Sequence, residues 1–204
     1  MSFSCQPKAE TYTIETNLGN IKVKLYDKTP LHKENFEKLV SEHLYDSVMF
    51  HRIIPEFMIQ SGNIATKTAT VDDKPTEKKD PDYTIQAEFV PEYIHKKGAL
   101  AAARIGDHVN PEKRSSSSQF YIVHGKTFTT DQLQDMEDFG GKSWTEEQKE
   151  IYKTVGGAPF LDKEYTVFGE VVEGLDIVDK IASVPTAAGD WPQVDVRIIR
   201  IVKD

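Results

Sequence analysis

A single cysteine, Cys5, occurs in 204 residues. One thiol excludes a disulfide framework and a multi-cysteine metal site. Long apolar runs are missing as well: none approaches the roughly 18 residues of a membrane-spanning helix, and the polar start from Met1 to Glu10 lacks the apolar stretch of a secretion signal. A positive surplus is also absent. Lys and Arg number 25 against 33 Asp and Glu, a formal net charge of −8, and nucleic-acid affinity rests on the basic patch this chain lacks. Lys78-Lys79 and Lys96-Lys97 sit beside acids and read as solvated surface. There is no phosphate-cradling glycine loop, no H-E-x-x-H pair and no G-x-S-x-G elbow. The six histidines, His32, His43, His51, His95, His108 and His124, fall in no metal-ligand spacing and are expected on the surface or structurally bonded. Serines 115 to 118 read as polar loop. The expectation is a chemistry without metal, cofactor or nucleophile. Cys5 keeps two readings: an incidental residue of a cytoplasmic protein, or the trimmed lipidation site of a bacterial extracytoplasmic lipoprotein.

What is present is an ordinary folded composition, 38% hydrophobic and 28% charged, with ten Phe, eight Tyr and two Trp. The length suits one domain, expected over residues 11–204 after a flexible tail at 1–10. Tyr12 to Thr16 and Ile21 to Tyr26 alternate apolar and polar residues around Asn17-Leu18-Gly19-Asn20, a hairpin signal. Thr29-Pro30 predicts a helix start, with threonine as cap and Phe36, Leu39 and Val40 as the buried stripe. Val48 to Ile54 and Phe57 to Gln60 read as strands broken by Pro55, and Ala99 to Ala103 and Phe120 to Val123 as short buried strands, with a polar connection from Gly106 to Ser118 between them. Tyr165 to Val172 and Val194 to Val202 complete the strands, the last slipping phase at Ile198-Ile199 as a bulge does. Leu175 to Ala182 reads as a helix.

Two segments stand apart. Thr66 to Tyr83 is polar and reads as an exposed loop. Asp131 to Gly157 predicts two short helices: Leu133, Met136 and Phe139 recur before Gly140-Gly141, then Ser143-Trp144-Thr145-Glu146 has the form of a capping box, and Ile151, Tyr152 and Val155 continue a stripe. Few strand pairs have the helical spacer that parallel pairing needs, so the strands are expected to be mostly antiparallel.

One stretch is chemically unusual: FHRIIPEFMIQSGN, Phe50 to Asn63. Arg52 lies among apolar residues on a predicted strand, and a buried guanidinium is costly unless it is paired or its charge is used. Phe57 and Met58 offer an apolar wall, and Gln60 can donate and accept. Taken alone, the stretch fits either a bonded core arginine or a working site.

This stretch resembles the cyclophilin signature F-H-R-x-I-x-x-F-x-x-Q. GALAAAR (Gly98 to Arg104), SSQFYI (Ser117 to Ile122) and FLDKEYTVFGEVVEGLDIVDKI (Phe160 to Ile181) resemble three further segments of that family, in the same order. The resemblance spans roughly Tyr12 to Lys203. It implies a mainly β fold, a closed eight-stranded antiparallel barrel capped by helices, here with an added helical insertion, and a peptidyl-prolyl cis–trans isomerase assisting protein folding. By the same resemblance Arg52 takes the catalytic place; Phe57, Met58, Tyr121 and Leu161 line a proline pocket; and Gln60, Gln119 and the main chain of Ala103 and Arg104 bond the substrate backbone. Phe160 stands where many members carry tryptophan, which implies weaker cyclosporin binding, and Tyr165 where many carry histidine. The Tyr121 hydroxyl is expected to reach solvent. The partners implied are proline-containing polypeptides, with no cofactor, and the chain is expected to be monomeric. The insertions, about 66–83 and 131–157, leave two roles open for the helical one: decoration packing its own stripe, or a groove wall or docking surface for a protein partner. A binding or chaperone module with little turnover is the alternative function.

Overall fold

The computed structural model describes residues 10–75 and 80–204; Cys5, nearly all of the tail, and Lys78-Lys79 lie outside the described residues. The strands are β1 (Thr11–Thr16), β2 (Gly19–Leu25), β3 (Arg52–Ile54), β4 (Met58–Ser61), β5 (Thr84–Ile85), β6 (Ala99–Ala102), β7 (Ser115–Ser116), β8 (Phe120–Val123), β9 (Val167–Glu173) and β10 (Ile198–Lys203). The helices are α1 (Pro30–Ser41), α2 (Thr130–Gly140), α3 (Glu146–Thr154) and α4 (Leu175–Ala182). Eight strands form one antiparallel sheet in the order β10-β1-β2-β9-β6-β8-β4-β3, and β5 and β7 pair separately. Among the described residues no helix is long and apolar enough to cross a membrane.

The two sheet edges meet through irregular backbone rather than a regular ladder. Ser47 N–H donates to Ile198 O (2.9 Å), Ile198 N–H to Val48 O (2.9 Å) and Phe50 N–H to Val196 O (2.9 Å). Two expected strands are accordingly shorter than their apolar runs. Val48, Met49 and Phe50 are fully buried but lie ahead of β3, and β10 begins at Ile198 rather than Val194. The bulge falls at the expected place: Glu15 faces Arg200 and Thr16 faces Ile198, so Ile199 is left over and turns outward.

Alternation along the strands divides the apolar residues between two faces. Ile14, Ile21, Val23, Ile53, Ile59, Leu100, Phe120, Ile122 and Phe168 belong to the main core, joined by Phe36, Leu39 and Val40 of α1 and by Val178 and Ile181 of α4. Phe36 meets the rings of Tyr12, Tyr45, Phe120 and Phe168 at centroid distances of 5.8, 5.4, 6.0 and 5.8 Å; burying such a side chain contributes about 1.5–3 kcal/mol. The opposite face of β4, β8, β6 and β9 carries a second cluster, Met58, Ala99, Ala101, Tyr121, Val123 and Val167. Apolar cover on both faces explains why β6 and β8 read as unbroken apolar runs.

Several local expectations are corrected. Thr29 does not cap α1 with its side chain; its hydroxyl donates to Tyr26 O (3.2 Å). The Glu88 carboxylate instead accepts from the N–H groups of Leu31 (3.1 Å) and His32 (3.0 Å), a cap from 56 residues away that no local pattern announces. The segment after Asn63 is not simply an exposed loop. It opens with a 3-10 turn, Ile64–Lys67, in which Thr66 is fully buried, accepting from Met49 N–H (3.0 Å) and donating to Asn63 O. The Arg197 guanidinium then gathers the carbonyls of Ser47, Thr66 and Ala69. Ser115, Ser117 and Ser118 are likewise buried, with their hydroxyls bonded to His32, to Pro81 O and to Gly62 O.

The insertion is two helices, as expected, with Gly141 (φ 64°) as the left-handed stop of α2. Its capping boxes are Thr129 with Gln132 and Thr145 with Gln148, not the Ser143–Glu146 pair. Its stripe packs Leu133, Met136, Ile151, Tyr152 and Trp144 against Ile94 and Phe128, whereas Phe139 is 87% exposed and Val155 half-exposed.

Candidate active site

The register of the sheet lines up one row across three strand pairs: Arg52 faces Gln60, Gln60 faces Tyr121, and Tyr121 faces Ala101. Facing residues lie about 5 Å apart and share a face, so a cation, an amide, an aromatic ring and a methyl group succeed one another along the outer surface. One residue pair along, Met58 faces Val123. Phe57 precedes β4 at the Pro55-Glu56 turn, where Glu56 takes a left-handed backbone (φ 61°). Gly62, just after β4, is required by close approach: a Cβ there would lie 2.2 Å from Ser118 O, and its φ is +92°. This contact holds Gln60 beside Gln119.

A groove of about 390 Å³ opens on this surface, lined among others by Arg52, Phe57, Met58, Gln60, Ala103, Arg104, Gln119, Tyr121, Leu161 and Tyr165. Ten of the eleven expected site residues therefore share one cavity. Phe160 is the exception. It sits half-exposed beside the rim, its ring 5.4 Å from that of Phe57. A second hollow of about 520 Å³ shares Gln60, Ala103, Arg104 and Gln119 and continues past Asp80, Tyr83, Ile105 and Arg114. The shared residues make the two hollows neighbours on one surface.

Arg52 is not buried. Its side chain is 44% exposed, on the edge strand, and its Nε donates to Asp190 Oδ2 (3.0 Å). The buried arginine is Arg104, whose Nε donates to Glu164 O (2.8 Å) and whose guanidinium lies 4.5 Å over the Tyr165 ring. Arg104 is thereby held as part of the wall, and Tyr165 is fixed beneath it and edge-on to Tyr121 (6.0 Å, 80°). Gln60 Nε2 donates to Gln119 Oε1 (3.0 Å), and Gln119 Nε2 donates to the Asp80 carboxylate (2.8 Å), which sets the orientation of both amides. The main chain of Ala103 is already engaged: its N–H donates to Gln119 O (2.9 Å) and its carbonyl accepts from Ser116 N–H (2.8 Å).

The Tyr121 hydroxyl does not reach solvent. It is buried and bonded to His95 Nε2 (3.0 Å), and burial pushes its pKa well above the ordinary tyrosine value. Tyr121 thus turns its ring edge to the groove and its polar end inward.

One side of the groove escaped the sequence. Lys74, Pro75, Gly189 and Trp191 also line it, and Asp190 holds Arg52. Trp191 packs with Met49 and Ala69 while its Nε1 donates to Val71 O (3.0 Å). The available signal was a large aromatic in the polar turn Gly189-Asp190-Trp191-Pro192, where only packing explains its presence. No group of three or more His, Cys, Asp or Glu is arranged to hold a metal among the described residues.

An antiparallel barrel with an arginine-edged groove on its outer face is the arrangement that the sequence resemblance implies. Residues 11–203 match the family described as cyclophilin type peptidyl-prolyl cis-trans isomerase/CLD. A peptidyl-prolyl cis-trans isomerase of Acinetobacter baylyi is 34% identical over 194 residues, covering 92% of this chain and 82% of the relative. A Staphylococcus saprophyticus relative is 34% identical over 186 residues, 91% of this chain and 87% of the relative. The fold is similar to the crystal structure of a Cryptosporidium parvum cyclophilin type peptidyl-prolyl cis-trans isomerase, with a TM-score of 0.69, 22% identity, and coverage of 97% of this chain and 98% of that one. The chain belongs to the cyclophilin family, and it is a peptidyl-prolyl cis–trans isomerase.

Proposed function

We propose that the groove takes an extended proline-containing polypeptide with the proline ring against Phe57, Met58, Tyr121 and Leu161, and that Arg52 is the catalytic residue. The observation that supports this most is the row Arg52–Gln60–Tyr121, which puts a half-solvated cation on the border of an apolar pocket.

The chemistry asks for little more. An X–Pro bond turns over in tens to hundreds of seconds unaided, behind a barrier of about 18–20 kcal/mol from amide resonance. Reaching on the order of a thousand turnovers per second requires about 7 kcal/mol of barrier lowering. In the twisted transition state the proline nitrogen regains its lone pair, and a guanidinium N–H can donate to it. That bond is absent from the planar ground state, so it lowers the barrier instead of merely tightening binding. One preorganised donor contributes about 3–4 kcal/mol. The apolar wall anchors the ring while the acyl side rotates, and it shields the new hydrogen bond from water.

Arg52→Ala is expected to lower kcat/KM for a short Xaa-Pro-Phe peptide by about 10²–10³-fold, with circular dichroism and thermal unfolding unchanged. A folded Arg52→Ala protein of full activity refutes the assignment. Binding of the peptide by the unaltered protein without turnover would instead identify a binding module.

A further inference from the structure

The helical insertion contributes no side chain to the groove among the described residues, yet it reaches the groove through a buried carboxylate. Asp162 follows the short turn Pro159–Leu161. Its Oδ2 accepts from Trp144 Nε1 (2.7 Å) and from the Tyr152 hydroxyl (2.5 Å), both insertion residues. Its Oδ1 accepts from the backbone N–H of His95 (2.8 Å) and from His95 Nδ1 (2.7 Å). A carboxylate only accepts, so Nδ1 carries a proton, and in the neutral imidazole Nε2 is the acceptor. With the ring in that state the Tyr121 hydroxyl, 3.0 Å away, is the donor. The chain Tyr121–His95–Asp162–Tyr152 is thus hydrogen-bonded without a gap from the insertion to the groove wall.

Burial and the Asp162 charge push the Tyr152 hydroxyl far above its ordinary pKa, so it stays a donor at any working pH. His95 and Tyr152 are fully buried and Asp162 nearly so. Four donors on one carboxylate offset the desolvation of a charge, and losing one leaves an under-satisfied buried anion. The backbone is equally committed. Ala158 N–H donates to His95 O (2.8 Å), Lys142 Nζ donates to Asp162 O (2.8 Å), and a Cβ on Gly157 would fall 2.2 Å from His95 O.

We propose that the insertion is a positioning device for the isomerase groove, with Tyr152, Asp162 and His95 as positioning residues that set the Tyr121 ring and the Phe160-Leu161 turn against the substrate proline. The proposal rests on the assignment of this groove as the proline site. Asp162 directly follows Leu161, which lines the groove, and Phe160, which packs on Phe57. A pull on the carboxylate thus moves two opposite parts of the pocket wall. The network touches the apolar wall and not Arg52, so its loss weakens ring anchoring and leaves the transition-state donor in place.

The test uses the intact chain. Tyr152→Phe removes one donor with almost no change of shape, and the expected result is a KM raised about three- to tenfold with kcat within about twofold. Trp144→Phe gives the same split, and the double variant exceeds the sum of the two because it strips Oδ2 of both donors. Phe139→Ala, on the exposed side of the insertion, leaves KM unchanged. In parallel, a proline peptide is titrated into the unaltered protein while the two indole N–H resonances are followed by NMR. Trp191 reports occupancy of the groove, and a concerted shift of Trp144 reports the coupling. A lower melting temperature of Tyr152→Phe with unaltered KM, together with a shift of Trp191 alone, overturns the positioning role and leaves the groove assignment standing. Absence of any Trp191 shift, with a fully active Arg52→Ala protein, overturns both.

Discussion

Arg52 is tethered at one point, its Nε to Asp190 Oδ2, and that tether can be cut without touching the pocket. Both side chains are about two-fifths exposed, so the pair contributes under about 1 kcal/mol to stability. Its effect on rate is another matter. A free arginine side chain has up to about 2 kcal/mol of rotamer freedom. If the tether removes most of that freedom, cutting it divides the productive population by at most about 30. Asp190→Ala is therefore expected to lower kcat about five- to 30-fold, with a loss of stability near 1 kcal/mol that includes the strain of alanine in the left-handed backbone Asp190 adopts (φ 61°). Asp190→Asn separates orientation from charge. Asparagine tolerates that backbone and keeps an acceptor for Nε, so it is expected to recover most of the rate. The assay is protease-coupled or NMR-detected isomerisation of an Xaa-Pro-Phe peptide, with urea unfolding alongside. If Asp190→Ala is as fast as the unaltered enzyme, or faster, the carboxylate only dampens the cation, and the orientation reasoning is wrong.

Two further outcomes follow from named residues. Phe160→Trp is expected to tighten cyclosporin binding in a titration, because the rim ring packed on Phe57 would then carry an N–H donor; unimproved affinity contradicts this. Burial holds the His32 pKa below its ordinary value despite the Glu88 carboxylate at 2.6 Å. Below about pH 6.5 the unfolded chain takes up the proton first, so stability falls as pH drops from about 6.5 towards the folded pKa, and urea unfolding of His32→Asn is expected to lose that part of the slope.

The strands and the site were legible wherever a local pattern carried them. Alternation gave β1 and β2, the phase slip at Ile198-Ile199 gave a bulge, and Gly140-Gly141 gave the end of α2. What failed was long-range. Glu88 caps α1 in place of Thr29, because a carboxylate brought in by the fold outbids a neighbouring hydroxyl for two N–H groups. Thr66, Ser115, Ser117 and Ser118 looked solvated, but small hydroxyls bury readily once hydrogen-bond partners are within reach. Arg52 looked buried because its neighbours in sequence are apolar, whereas on a strand those neighbours point to the other face or lie beyond the turn. The Gly189–Trp191 wall was invisible for a related reason: it approaches Arg52 only after the chain has passed through every strand but β10.

The position of the groove follows from which residues are small. On the outer face the strand between β8 and β9 presents Ala99 and Ala101, and Ala103 continues its line. The strands and loops around it present Met58, Tyr121, Phe57, Leu161 and Tyr165. Ala99 and Ala101 lie buried beneath these side chains, and at Ala103 a methyl group amid large side chains leaves room for the groove. Filling it does not require the core to move, since Leu100 and Ala102 point the other way, into the main core. The part of the groove walled by Phe57, Met58, Tyr121 and Leu161 is apolar, so it suits a proline ring, and the register sets Arg52 three strands away along the row that Ala101 begins. At about 5 Å per strand, that is roughly 15 Å between α-carbons. An extended arginine side chain reaches back across part of that distance, over Gln60, towards the ring's edge. The same register that builds the barrel thus sets the distance between pocket and charge. A one-residue slip between β3 and β4 would turn Arg52 to the inner face and abolish the site while leaving most of the sheet intact.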